Sequence, residues 1–265
     1  FICCIFNLKK IIKKENSKGL DYGLIGFPLS HSYSKKHFEE KFAGLGLNHH
    51  FNLYEIKEIE QIVDLIQENE NLSGFCVTMP YKEKILSYLD SLSSTAKACG
   101  NVNCVKITRQ NNQINLQGYN TDAFGFEYSL LNQLDISKIK QAYILGSGGV
   151  SKTISFVLTK HNIASKIVSR NPQNEQISYK QMNNEYEDFS LFINASPVGM
   201  HSLKDKIPDI DLEKLNSTAQ IFDLIYNPSP SLLMQKAKEK GAIAIDGAKM
   251  LFYQAEKAWE IWQSK

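Results

Sequence analysis

The sequence predicts an α/β fold in two domains, an N-terminal α/β domain followed by a Rossmann-type dinucleotide-binding domain. Three observations carry this expectation. From Tyr22 onward, short apolar runs alternate with amphipathic stretches of helical spacing, as in strands joined through helices in largely parallel sheets. A pair of strand-like runs around a polar turn, "NVNCVKITRQNNQINLQGYN", interrupts that alternation near mid-chain. Beyond it, in "AYILGSGGVSKTISFVL", an apolar strand runs into a glycine-rich turn and an amphipathic helix.

In chain order, the first strands are "YGLIGF", "HHFNLYEI" and "GFCVTM", with an amphipathic helix beginning near Ser34 between the first two. Pro80 stops the third strand, and a helix-like stretch follows. The 101–120 segment is a hairpin turning at Gln110 to Gln113, and the first domain ends near Asn120 and Thr121. The second half supplies "QAYILG", "SKIVSR", "SLFINA", "QIFDLI" and "AIAID". In the last helix Met250, Leu251, Ala255, Ala258, Trp259 and Trp262 recur on one face, and Gln254 lies on the same stripe. A polar group facing inwards needs a partner, either a backbone carbonyl or a bound polyol. The opening "FICCIFNLKKIIKKENSKG" has a short apolar run, charges after it and no small-residue cleavage site, a poor signal peptide. Residues 1–19 are expected to form a tail outside the fold.

The 265 residues, 43% hydrophobic, suffice for such cores. A net charge of +2 gives no bulk pull towards nucleic acid or an anionic membrane. The expected partner is a small-molecule substrate, with the chain a monomer or homodimer. Five cysteines form no C-x-x-C pair and six histidines no H-E-x-x-H spacing, so no metal is expected, and reduced thiols in a cytoplasmic setting are.

Gly146, Gly148 and Gly149, with Ser151 in the third position of G-x-G-x-x-G, allow a tight turn in which a pyrophosphate can approach N–H groups at a helix start. The next strand ends at Arg170, about 20 residues on, where NAD-binding folds commonly hold an acid for the ribose hydroxyls. No acid stands there until Glu175. An arginine suits a phosphate on that ribose, which points to NADP. Lys82, just past the third strand, reads on its own as a solvated charge. Lys35 and Lys36 sit in the first turn of the helix near Ser34, against its dipole unless an anion binds there, and Ser32 and Ser34 add hydroxyl donors.

The motifs "GFPLSHSYS", "CVTMPYKEK", "GNVNC", "GYNTDAFGF", "GSGGVSK", "SRN", "INASPVGM", "DLIYNPSPSLL" and "GAKMLFYQAEKAWEIW" follow one another in an order that resembles the shikimate dehydrogenase family, from about Tyr22 to Trp262. The resemblance implies reduction of 3-dehydroshikimate to shikimate with NADPH, within aromatic amino-acid biosynthesis. It implies Lys82 and Asp122 as the catalytic pair, and Ser32 and Ser34 as contacts to the substrate carboxylate. Thr78, Asn103, Tyr226 and Gln254 match the family's other substrate contacts, and Gly146, Gly148, Gly149, Ser151, Lys152 and Arg170 its coenzyme contacts. The chemistry agrees, because an ammonium beside a developing alkoxide supplies both charge and proton.

The implied division is 20–120 plus 247–265 for the substrate-binding catalytic domain, the C-terminal helix returning to it, and 121–246 for the NADP-binding domain. Three positions depart from the family pattern. Lys35 replaces a proline, "SRN" replaces N-R-T, and Cys76 replaces an asparagine that contacts substrate. Loss of that contact is one expectation for Cys76, and a small core residue is the other. Rival readings are a quinate/shikimate dehydrogenase with looser substrate and coenzyme choice, and a non-catalytic dinucleotide-binding sensor.

Overall fold

The computed structural model describes residues 19–29 and 33–264. Of the expected tail at 1–19, residues 1–18 lie outside the described residues, as does Ser32. In chain order the elements are β1 Asp21–Gly26, α1 Tyr33–Leu45, β2 His50–Glu55, α2 Ile62–Glu68, β3 Leu72–Val77, β4 Ser91–Leu92, α3 Ser94–Cys99, β5 Cys104–Gln110 and β6 Gln113–Tyr119. There follow α4 Thr121–Gln133, β7 Gln141–Leu145, α5 Gly149–Lys160, β8 Ser165–Val168, α6 Tyr179–Glu185, β9 Ser190–Asn194, β10 Gln220–Asp223, α7 Leu232–Glu239, β11 Ile243–Ile245 and α8 Ala248–Gln263.

Two sheets result. The first runs β2-β1-β3-β5-β6-β4 and is mixed: β1 is parallel to β2 and β3, while β5 is antiparallel to β3 and β6. The β5–β6 hairpin turns on Asn111 and Asn112 at φ 52° and 61°, a left-handed pair that matches strand twist and suits asparagine. The second sheet, β11-β10-β9-β7-β8, is parallel throughout. Its order reverses between β7 and β9, and in such sheets ligands bind beyond the strand ends at that reversal. After Pro80 the helix-like stretch is a 3₁₀ helix, Lys84–Tyr88, rather than an α-helix. The two-residue β4, which pairs with Gln117 and Gly118, was not expected.

Strand alternation divides the first core between two faces. Ile25, Phe75 and Val77 face Ile62, Tyr81 and Ile85 on one side. Tyr22, Leu24, Cys76 and Cys104 face Phe38 and Phe42 of α1 and Ala255, Ala258 and Trp262 of α8 on the other. Helix α8 does return to the first sheet, where Trp262 Nε1–H donates to the Val105 carbonyl at 3.0 Å. Its beginning packs on α4, closely enough that a Cβ on Gly125 would stand 2.5 Å from the Met250 carbonyl oxygen. Helix α4 is the bridge: Ala123, Phe126 and Leu130 share a core with Ala142 and Ile144 of the second sheet and with Met250 of α8.

Candidate active site

Asn120 caps α4 through its side-chain oxygen, which accepts from Ala123 N–H at 3.0 Å. That cap places Asp122 in the first helical turn, where a carboxylate is favoured by the helix dipole. Lys82 approaches from the segment after β3, its carbonyl accepting from Val102 N–H at 2.8 Å. Lys82 Nζ donates to Asp122 Oδ2 at 2.6 Å, with 22% and 10% of the two side chains exposed. Asp122 Oδ1 accepts from Asn103 Nδ2 at 2.9 Å. Both carboxylate oxygens are therefore held, and the ammonium keeps hydrogens beyond the one given to Asp122.

Asn103 is itself tightly fixed. Its Oδ1 accepts from Thr121 N–H at 2.6 Å, and its Nδ2 points at Thr121 Oγ1, Asp122 Oδ1 and Gln254 Oε1. Gln254, 7% exposed, gives its own Nε2–H to the Leu251 carbonyl at 2.8 Å. The backbone carbonyl expected as one possible partner of Gln254 is thus present, alongside Asn103. Thr78 and Ser34 are half-buried, with Ser34 in the first turn of α1. Tyr226 is 38% exposed and meets Tyr33 edge-on at 6.3 Å between ring centroids. Lys35 and Lys36 pair along α1 with Glu39 and Glu40 at 3.4 and 3.9 Å.

The glycine turn follows β7. Gly146, at φ 120°, passes within van der Waals contact of the Ala195–Ser196 peptide after β9, and a Cβ there would be both strained and crowded. Ser151 is buried, and its hydroxyl ties the turn by donating to the Gly146 carbonyl at 2.7 Å. A Cβ on Gly148 would meet nothing within 4 Å, and one on Gly149 only the Glu83 carboxylate at 3.7 Å. The start of α5 thus presents an open, glycine-walled face with helix N–H groups behind it, which fits a pyrophosphate. Arg170 is exposed at the end of β8, next to Ser169, whose hydroxyl is 3.4 Å from that of Ser147. Lys152 pairs at 2.9 Å with Glu83, which brings the residue beside Lys82 against the start of α5.

Sequence reading missed a buried network between these two halves. Asn101 Nδ2 reaches the Gly149 carbonyl at 3.3 Å and Thr153 Oγ1 at 3.1 Å, and Asn120 Nδ2 reaches Asn101 Oδ1 at 2.8 Å. The glycine turn is linked in this way to the cap that sets Asp122. The signal lies in the first asparagines of "GNVNC" and "GYNTD", Asn101 and Asn120.

Cys76 is 4% exposed within the core under α1 and α8, and burial, reinforced by the Asp122 charge, pushes its thiol up to about 12. This matches the core-residue expectation more closely than a lost substrate contact. Among the described residues no helix is long and apolar enough to cross a membrane, and no group of three His, Cys, Asp or Glu could hold a metal ion.

Comparison with known proteins gives concordant matches. The family model for the shikimate dehydrogenase substrate binding domain matches residues 24–105. A curated relative, the shikimate dehydrogenase (NADP(+)) of Methanococcus maripaludis, is 35% identical over 93% of this chain and 93% of its own. The crystal structure of a chorismate mutase/shikimate 5-dehydrogenase fusion protein from Clostridium acetobutylicum superposes with a TM-score of 0.81 at 33% identity, covering 93% of this chain and 91% of that one. That of a shikimate 5-dehydrogenase from Thermus thermophilus, in complex with NADP(H) and shikimate, gives 0.79 at 26% identity, covering 92% and 93%.

Proposed function

The chain belongs to the shikimate dehydrogenase family, and on that premise we propose that it catalyses the reversible, NADPH-dependent reduction of 3-dehydroshikimate to shikimate, a step of aromatic amino-acid biosynthesis. The observation that carries this reading is the 2.6 Å Lys82–Asp122 pair, set where the segment after β3 meets the start of α4. A dinucleotide-binding sensor has no use for such a pair.

Gly146, Gly148, Gly149 and Arg170 would hold NADPH, the arginine at its ribose phosphate, and the bound coenzyme would supply a hydride. The chain supplies the rest. Lys82 Nζ donates a hydrogen bond to the substrate carbonyl oxygen and transfers a proton to the alkoxide that develops there. Asp122 holds the ammonium in place, and Asn103, itself fixed by Thr121, holds Asp122. In the reverse direction Lys82, having lost its proton, accepts the hydroxyl proton of shikimate. Ser32 and Ser34 take the substrate carboxylate, while Thr78, Asn103, Tyr226 and Gln254 surround its ring oxygens. Residues 20–120 with 247–265 form the substrate domain in this reading, and 121–246 the NADP domain.

The test crosses shikimate and quinate with NADP and NAD in one nicotinamide-absorbance assay of the purified chain. Preference for shikimate with NADP is expected. Equal or better turnover of quinate with NAD would replace this reading with that of a quinate/shikimate enzyme.

A further inference from the structure

Glu83 has no part in the chemistry above, yet it stands where coenzyme chemistry should happen. Its carboxylate accepts from Lys152 Nζ at 2.9 Å and lies 3.7 Å from the Cβ position of Gly149, the first residue of α5. A carboxylate at that point has the two features that draw a pyrophosphate: a lysine and the positive end of a twelve-residue helix. Both side chains are about half exposed, 49% for Glu83 and 55% for Lys152, so either can turn aside without disturbing the core.

We propose that Glu83 is an internal competitor for the coenzyme: its carboxylate and the pyrophosphate of NADP(H) alternate at Lys152 and the start of α5, and binding exchanges one anion for the other. The proposal rests on reading the Gly146–Gly149 turn as the pyrophosphate seat. Two anions at that point compete for the same lysine and helix N–H groups, and like charges at contact distance repel each other, modestly where both stay half exposed. Glu83 therefore weakens coenzyme binding and speeds its release.

A structural ion pair and a competing anion predict opposite signs. If Glu83–Lys152 merely clasped the two halves together, removing either partner would loosen the coenzyme site. If Glu83 competes, Glu83→Gln tightens NADPH binding by about two- to fivefold, the scale of an exposed ion pair, while Lys152→Gln weakens it. In a Lys152→Gln background the gain from Glu83→Gln shrinks. The experiment is fluorescence titration of NADPH into the full chain and these three variants at one salt concentration, with Gly148→Val as a further arm. A Cβ fits the fold at Gly148 but fills the seat, so Gly148→Val should raise the dissociation constant by an order of magnitude or more. A Glu83→Gln constant equal to or above that of the parent overturns the competition. An unchanged constant in Gly148→Val overturns the seat itself, a failure distinct from the first.

Discussion

Replacing Cys76 with asparagine separates a core position from a substrate contact. The thiol stands directly opposite Cys104 on β5 and packs among Tyr22, Leu24, Phe38 and Trp262. Asparagine is larger and brings a donor pair and an acceptor. Asp122, whose charge acts on the thiol, already accepts from Lys82 and Asn103, so an added amide would compete with those two donors for it. An unsatisfied buried amide costs about 1–3 kcal/mol, and overfilling a packed core adds about 1–3 kcal/mol. The sum, about 2–6 kcal/mol, corresponds to a fall in melting temperature of roughly 4–12 °C for a chain of this size. Thermal unfolding and the KM for shikimate are measured on the same preparation. A lower melting temperature with an unchanged or raised KM is expected. An unchanged melting temperature with a KM lowered twofold or more would refute the packing argument and restore the missing contact.

Arg170→Ala should weaken NADP binding by about 1.5–3 kcal/mol, the scale of a charged hydrogen bond, and leave NAD nearly unaffected in the same titration; equal losses would mean that Arg170 serves the fold. Glu256 joins α8 to α1, with His37 Nε2 at 3.0 Å and Lys41 Nζ at 2.6 Å, and these partners hold its carboxyl below the ordinary 4.5. The His37 ring is poorly aligned for a full hydrogen bond, which leaves Lys41 the firmer partner. Because the folded value is the lower one, the pair stabilises the fold above about pH 4.5 and loses that contribution as pH falls through the folded value. Unfolding free energies of Glu256→Gln from denaturant titration should therefore lie below the parent's at neutral pH, by about 0.5–1 kcal/mol, and converge with them in acid; a gap that persists in acid would contradict the assignment.

The parts of this fold that were legible in sequence are those written in short-range pattern. The strands of the second sheet, the glycine turn and the Asn111–Asn112 hairpin each declare themselves within a few residues. The two-residue β4 is too short to carry a period, and the stretch after Pro80 closes as 3₁₀ turns because Tyr81 and Ile85 are drawn into the core beneath it. At the site, Lys82 and Asp122 were identified from motif order, whereas the roles of their neighbours depend on contacts that sequence does not display. Asn101 and Thr153 are 52 residues apart and Glu83 and Lys152 are 69 apart. Cys76 shows the same limit. Two residues apart on an extended chain, Cys76 and Thr78 turn to one face, but only the packing of α1 and α8 decides that this face is closed at Cys76 and more open at Thr78.

The most direct test of the central claim is the turnover of shikimate with NADP by the purified chain, compared with Lys82→Ala and Asp122→Asn under saturating conditions. The account predicts turnover in the parent and a loss of roughly two orders of magnitude or more in each variant, the usual scale of positioned acid–base catalysis, with NADPH binding largely retained. Near-parental turnover in Lys82→Ala, in a protein shown to be folded, would contradict it.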